Sequence, residues 1–274
     1  MYKITEIISA QLYNFSIFLR NKGYINTSLG FLHILKYIKY SRLHSIIDIA
    51  ELLGDKGKYI IALKILNKEL VKNIPYESIF HLKLMKSHIL FKSKNILEAI
   101  ELSNQLIDHD LLTNNKPSAV CIGNLIEYYT RSKSYELAIN LIKQFVRSKE
   151  YSYSGIYYNS GNLFQKLKLY HTSIHYYQKA HKLSQEDYYI TDNMAFSFFQ
   201  LKKYKKAMHF FEYSKKYIKQ SYDLGRNQYS IAGVYWVQRD YKNALVYAYR
   251  ALELGYLKAK DGIPELEALE TINR

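Results

Sequence analysis

Three asparagines recur at nearly the same interval and could bind the backbone of a peptide. Asn124, Asn159 and Asn193 follow one another at 35 and 34 residues. A carboxamide offers one acceptor and two donors, so it can pair with both the C=O and the N–H of an extended chain. Such side chains in register would hold a peptide with little dependence on its sequence. The alternative is that asparagine is simply a common polar residue at such positions.

The residues that usually carry catalysis or bind metals are not grouped in this sequence. His171 and His175 are four apart, as a metal pair on a helix would be, but no carboxylate, cysteine or third histidine has matching ligand spacing. Cys121 is a single cysteine on an apolar helical face, which is typical of a small core residue. Phosphate-loop, nucleophile-elbow and zinc-protease motifs are missing. We therefore expect no enzyme activity, no cofactor and no metal.

A three-part spacing pattern runs through the chain and must position the asparagines. A small residue recurs every 34 to 39 residues, with a large residue three places before it and an aromatic residue or leucine nine places before it. Packed helices need a small residue at their contact and large groups in the flanking grooves. The three sets are Thr27, Ala62, Ala99, Ala138, Ser173, Ala207 and Ala244; Tyr24, Tyr59, Ile96, Tyr135, Tyr170, Tyr204 and Tyr241; and Phe18, Leu53, Leu90, Tyr129, Phe164, Phe198 and Tyr235.

The stretch Tyr157–Tyr177 carries this pattern most clearly and resembles a tetratricopeptide repeat (TPR). It places Gly161, Phe164, Ser173 and Tyr177 at the large, small and aromatic positions of that family's two antiparallel helices. The resemblance extends over the whole chain. It implies an all-α, right-handed TPR superhelix, a solenoid of about seven helix-turn-helix repeats with a C-terminal cap helix.

Two proline-marked joints divide the chain into predicted domains. Residues 1–112 form three divergent repeats, residues 117–256 form four clearer repeats, and residues 257–274 form the cap helix, which Pro264 is expected to start. The first joint is 73–75. The second, 113–117, is the longest polar interruption and coincides with the longest repeat interval. We expect a looser hinge there.

In TPR superhelices the first helix of each repeat lines a concave groove, so the resemblance implies that free residues on those helices bind ligand. The asparagines share one groove position, as in the asparagine ladders of TPR proteins that hold extended peptides. We expect an acidic group of the peptide at Arg131 or Lys166 and an apolar side chain at Phe199 and Trp236. Trp236 could instead pack against the next helix. The further groove residues that we predict are Glu127, Asn162, Phe196 and Arg226.

The charge balance admits several kinds of partner. A net charge of +15, from 39 basic and 24 acidic residues, favours acidic proteins, nucleic acid or anionic membrane, and it can equally reflect genome composition. The lysine-rich stretch Leu201–Gln220 falls mostly on an outer helix face, so we do not expect nucleic-acid binding. No apolar run approaches the ~20 residues of a membrane span, and the N-terminus is a poor signal peptide. The predicted location is the cytoplasm.

The sequence therefore predicts a non-catalytic module that binds an extended peptide or protein segment. One specific form is a signalling-peptide receptor whose superhelix tightens on binding. A constitutive assembly scaffold, which would bind a large protein surface, is the alternative, and a basic nucleic-acid-binding regulator is less favoured. The divergent first repeat, with its run Phe15–Leu19, could form a homodimer. Heat-shock-protein tails are not expected, because Asp192 stands where their recognition needs a basic residue.

Overall fold

The computed structural model describes residues 2–21, 24–35, 42–114, 117–147 and 151–272, and every regular element within these ranges is helical. This confirms the predicted all-α class. The helices are α1 (Tyr2–Asn21), α2 (Ile25–Leu35), α3 (Arg42–Asp55), α4 (Tyr59–Leu70), α5 (Tyr76–Lys92), α6 (Ile96–Asn114), α7 (Ala119–Arg131), α8 (Tyr135–Leu141), α9 (Ser154–Lys166), α10 (Tyr170–Leu183), α11 (Tyr188–Gln200), α12 (Tyr204–Lys215), α13 (Ser221–Val237), α14 (Tyr241–Glu253) and α15 (Ala259–Ile272). A π-helical turn, Ile142–Val146, extends α8.

The chain divides into two compact units, Met1–Lys133 with α1 to α7 and Ser134–Arg274 with α8 to α15. In the N-terminal unit, α1 packs on α2, α3 on α4, α5 on α6, and α7 on α6. The predicted joint at 113–117 and the domain limits drawn from it stay predictions. Helix α6 continues to Asn114, and Asn115 and Lys116 lie outside the described residues.

The C-terminal unit is a row of helix pairs. Helix α9 packs on α10, α11 on α12 and α13 on α14, and α15 closes the row by packing on α14. These are the predicted helix-turn-helix repeats and the predicted cap helix. The cap begins at Ala259 and not at Pro264, because the N–H groups of Ala259 and Lys260 already bond to the carbonyls of Tyr256 and Leu257 and form a turn ahead of the proline.

The small residues of the pattern lie at the centre of the helix contacts. From the second repeat onward all six are fully buried: Ala62, Ala99, Ala138, Ser173, Ala207 and Ala244. In the first repeat Thr27 is exposed, and the neighbouring Ser28 is buried in its place. The N–H of Tyr24, which closes the turn of this repeat, bonds to the carbonyl of Leu19. The predicted spacing places Phe18, and not Leu19, at that aromatic or leucine position. The first repeat is therefore shifted by one residue from the predicted register.

Every described turn inside a repeat has the same backbone geometry. Five residues before the buried small residue, the chain adopts a positive φ. In five of these six turns the next residue donates its N–H back to the carbonyl of the aromatic or leucine position, as Leu169 does to Phe164 at 2.8 Å. This closure of a helix end is the Schellman motif. The positive-φ residues are Gly57, Lys94, Lys133, Lys168, Lys202 and Arg239.

Ring stacking ties the two helices of each repeat together in the C-terminal unit. The aromatic residue nine places before the small residue stacks on the aromatic residue three places after it. The pairs are Phe164 and Tyr176 (5.3 Å between centroids), Phe198 and Phe210 (5.5 Å), and Tyr235 and Tyr247 (5.4 Å). Parallel rings at these separations are offset stacks, which add to the free energy gained by burial.

Helices α9 and α10 approach most closely at Gly161. A Cβ added to this glycine would lie 2.5 Å from the ring of Tyr177, which is fully buried. The Tyr177 hydroxyl donates a hydrogen bond to Oδ1 of Asn162 at 2.7 Å. The glycine is required because the tyrosine ring occupies the space where any side chain would lie.

Candidate functional site

The two predicted ladder asparagines of the C-terminal unit are both engaged within the protein. Asn193 on α11 donates from Nδ2 to the Tyr158 hydroxyl on α9 at 3.1 Å and to the Tyr189 carbonyl at 2.8 Å. Asn159 on α9 is 9% exposed. Asn193 therefore joins two neighbouring first helices, Asn159 is nearly buried, and a ladder that binds peptide stays a prediction.

Two further polar residues of α9 are also bonded to neighbouring helices. Asn162 accepts from Tyr177 on α10, as described above. Gln165 donates from Nε2 to the Asn193 carbonyl and to the Ser197 hydroxyl on α11, both at 2.9 Å. The exposed ammonium of Lys166 follows at the end of the same helix. This face of the unit is thus polar and fixed in place, with a cation at one side.

Arg226, predicted as a groove cation, is neutralised by neighbouring carboxylates. Its Nη2 lies 3.6 Å from Oδ2 of Asp192 and 3.6 Å from Oδ1 of Asp223. Its guanidinium also lies over the ring of Tyr189, 5.6 Å from the centroid. Arg226 thus joins α13 to α11, and its role in binding a ligand stays a prediction.

Asp192 is the centre of a buried polar cluster that joins three helices. Its Oδ1 accepts from Nδ2 of Asn227 on α13 at 2.9 Å and from the Ser214 hydroxyl on α12 at 3.3 Å. Burial raises the pKa of Asp192, while the hydrogen bond from Asn227 and the charge of Arg226 act in the opposite direction. Sequence reasoning noted Asp192 only as a missing cation, because its partners lie in the following helices.

Three of the predicted groove residues belong to the N-terminal unit. Asn124, Glu127 and Arg131 lie on α7, and Arg131 is exposed. Nη2 of Arg131 lies 3.6 Å from Oε1 of Glu127, one turn earlier. Burial raises the pKa of Glu127, and the charges of Arg131 and Lys92 lower it. Arg131 therefore shares its charge with Glu127 and remains accessible to an acidic group.

A pocket of about 250 Å³ lies where α11, α13 and α15 meet. We call it the C-terminal pocket, and its wall is largely aromatic and aliphatic. The lining residues are Phe199, Tyr229, Ala232, Gly233, Trp236, Gly262, Glu265 and Leu266. The pocket brings together Phe199 and Trp236, the two residues predicted to receive an apolar side chain. Sequence reasoning missed the wall supplied by α15, because that helix was interpreted only as a cap.

The C-terminal pocket stays open because one of its wall positions has no side chain. A Cβ added to Gly233 would meet no atom within 4 Å. Trp236 is 45% exposed beside it, and Phe196 on α11 is 40% exposed. Large aromatic side chains with this much free surface can bury area against a ligand at modest entropic cost.

The other chemical candidates have structural roles. Cys121 is fully buried, and burial raises the pKa of its thiol to about 12, so the thiol is protonated at neutral pH. Among the described residues, no three histidine, cysteine or acidic side chains are grouped to hold a metal ion. No helix in this part of the chain is long and apolar enough to cross a bilayer.

Comparison with known proteins places the chain by fold. No protein-family model matches the chain, and no curated protein shows significant sequence similarity to it. A TPR protein from Parabacteroides merdae is 16% identical with a TM-score of 0.56, over 95% of this chain and 98% of that one. PilF of Pseudomonas aeruginosa is 16% identical with a TM-score of 0.60, over 81% of this chain and 97% of its own.

A third likeness is to a protein of a larger assembly. The Cut9–Hcn1 hetero-tetramer of the APC/C matches 94% of this chain and 49% of the solved chain, at 14% identity and a TM-score of 0.67. At such low identity these likenesses establish the fold alone. Repeat spacing, helix order and structural similarity together show that this chain has the tetratricopeptide-repeat fold.

Proposed function

We propose that the chain is a non-catalytic interaction module that binds an extended peptide or protein segment. The first helices α9, α11 and α13 form the binding face, and the C-terminal pocket anchors one side chain of the ligand. A TPR fold suggests protein partners. The buried, protonated thiol of Cys121 and the pairing of Arg226 with two carboxylates favour recognition over chemistry.

The observation that carries this proposal is the open space above Gly233 between two partly exposed aromatic rings. Trp236, Phe199 and Gly233 line the same pocket, and the space that a Cβ at Gly233 would enter is empty. A large apolar side chain that enters such a pocket gains roughly 1.5–3 kcal/mol from burial. This pocket would therefore supply much of the affinity for a short segment.

The expected ligand has an acidic group as well as an apolar one. Lys166 is exposed at the end of α9, and Arg131 is the corresponding cation of the N-terminal unit. Contacts of these exposed cations with a carboxylate would be weak one by one. We expect such a contact, at Arg131 or at Lys166, to set the direction of the peptide more than its affinity.

The test is to fill the pocket with a side chain. Peptides enriched by display on the wild-type chain are titrated against Gly233→Leu, and we expect their affinity to fall about tenfold or more. Gly30→Leu on α2 is the matched control, because a Cβ at Gly30 also meets no atom within 4 Å. Selection of no peptide, or equal binding by Gly233→Leu, would contradict the proposal.

A constitutive assembly scaffold is the second candidate. The Cut9–Hcn1 likeness favours it, since that protein is solved as part of a hetero-tetramer. A signalling-peptide receptor should compact on binding, whereas a rigid scaffold should not. Small-angle scattering with and without a selected peptide distinguishes them by the radius of gyration. Homodimerisation through Phe15–Leu19 and a cytoplasmic location stay predictions.

A further inference from the structure

The C-terminal pocket presents several aromatic rings to one small volume. Phe199 comes from α11, and Tyr229 and Trp236 come from α13. The faces of such rings carry partial negative charge and attract cations within about 6 Å. The same rings provide an apolar surface for the aliphatic stem of a long cationic side chain. The wall is therefore suited to a group that is apolar along its length and positive at its tip.

Helix α15 adds a carboxylate to this wall. Glu265 lines the pocket and is exposed, and it forms no ion pair or hydrogen bond with another of the described residues. The next acidic residue, Glu267, is already engaged, since its Oε1 accepts from the Tyr249 hydroxyl. Glu265 is thus the acceptor that the pocket offers to a ligand.

The negative charge of α15 reaches the interior of the pocket. A Cβ added to Gly262 would lie 3.0 Å from the Tyr229 hydroxyl, so this phenol lies directly against α15. Burial raises the pKa of Tyr229, and Tyr256, Asp261 and Glu265 raise it further. A phenol resists losing its proton where neighbouring groups make the potential negative. A cation bound there would meet that potential favourably.

We propose that the C-terminal pocket binds an arginine side chain of the ligand, with the stem against Phe199 and Trp236 and the guanidinium at Glu265. The inference rests on the proposed function and refines the anchored residue from an apolar side chain to one with an apolar stem and a positive tip. Arginine fits better than lysine because its planar guanidinium stacks on aromatic rings and pairs with a carboxylate through two donors. The direction of the ligand chain would then be fixed, because its acidic group contacts Lys166 and its arginine contacts Glu265.

Trp236 gives this proposal a direct readout, because it is the only tryptophan of the chain. The probes are acetyl-Gly-X-Gly-amide peptides in which X is arginine, norleucine or glutamate, titrated against the full chain by tryptophan fluorescence. We expect the arginine probe to bind about three- to tenfold more tightly than the norleucine probe. Glu265→Gln should remove that preference, and Glu265→Lys should turn it toward the glutamate probe.

Glu267→Gln is the matched control, since it removes the same charge from the same helix at a residue that does not line the pocket. This variant should keep the arginine preference. Equal binding of the arginine and norleucine probes to the wild type would overturn the inference, as would an arginine preference that survives Glu265→Lys. Neither result would contradict the proposed function. That proposal depends on whether display enriches peptides that bind the wild type and whether these peptides bind the Gly233→Leu variant more weakly.

Discussion

Nδ2 of Asn193 lies 3.1 Å from the Tyr158 hydroxyl, so the amide that is predicted to face a ligand also joins helices α11 and α9. We predict that Asn193→Ala lowers the free energy of unfolding by about 1–2 kcal/mol, because it removes the hydrogen bonds of this amide to the Tyr158 hydroxyl and to the Tyr189 carbonyl. Urea unfolding followed by circular dichroism measures the change.

Tyr158→Phe provides the test of that pairing. This substitution removes the hydroxyl alone. The variant that carries both Asn193→Ala and Tyr158→Phe should lose about 0.5–1.5 kcal/mol less stability than the sum of the two single losses, because each single variant already breaks the shared hydrogen bond. Additive losses would mean that the Asn193–Tyr158 hydrogen bond contributes nothing. The stability effect of Asn193→Ala would then come from its hydrogen bond to the Tyr189 carbonyl.

The second prediction concerns Gly161. Gly161→Ala should destabilise the chain by about 1–3 kcal/mol, because the new methyl group would overlap the buried ring of Tyr177. Thermal unfolding measures the loss. Gly233→Ala on α13 is the matched control and should gain about 0.5–1 kcal/mol, since its methyl group enters open space and alanine favours helix. A Gly161→Ala variant as stable as the wild type would contradict the close approach of α9 and α10.

The third prediction concerns the positive-φ turns. Lys168 has φ of 60°, a conformation that costs an L-residue roughly 1–2 kcal/mol. Lys168→Gly should therefore raise the free energy of unfolding by about 1 kcal/mol. Gln178→Gly, in the middle of α10, should lower it by about 1 kcal/mol. The denaturant midpoints of the two variants are compared with that of the wild type. A lower midpoint for Lys168→Gly as well as for Gln178→Gly would contradict the left-handed conformation of Lys168.

The fourth prediction concerns pH. Burial lowers the pKa of His88 from 6.5, the charge of Lys92 lowers it further, and Glu51 and Asp55 act in the opposite direction. Well above pH 6.5 the ring is neutral in both the folded and the unfolded chain. As the pH falls below 6.5 the unfolded chain takes up the proton first, so the folded state loses stability.

Replacement of His88 by glutamine should remove this part of the pH dependence. Urea unfolding at pH 7.5 and at pH 5 should give a smaller loss for His88→Gln than for the wild type. His171→Gln, at an exposed position on α10, is the control and should follow the wild type. An identical loss in all three proteins would place His88 in contact with solvent.

The repeat could be predicted because close packing leaves a regular mark on the sequence. A buried small residue, such as Ala207 or Ala244, and an aromatic residue or leucine nine places before it recur in each helix pair. Helix packing requires them, so they do not depend on which ligand is bound. The first repeat was misplaced by one residue because Thr27 and Ser28 are adjacent small residues that spacing cannot tell apart. Only burial distinguishes them.

The candidate site was less predictable because its contacts join residues far apart in sequence. Tyr158 and Asn193 are 35 positions apart, and Asp192 meets Asn227 at the same separation. No local pattern reports which polar side chains satisfy one another across repeats. The carboxylate of Glu265 was overlooked for a related reason, since its place beside Trp236 depends on how α15 folds back against α13 and α14.

The turns and stacked ring pairs of the C-terminal unit give its repeats the same internal frame. The pair α11 and α12 has a buried small residue, a positive-φ turn and two parallel rings at the same places as the pair α9 and α10. A whole helix pair could be duplicated or removed without disturbing this frame in the other pairs, while the hydrogen bonds between neighbouring first helices would have to form anew. The unit can thus change its length only in whole steps, and the number of ligand residues that it spans would change in the same steps.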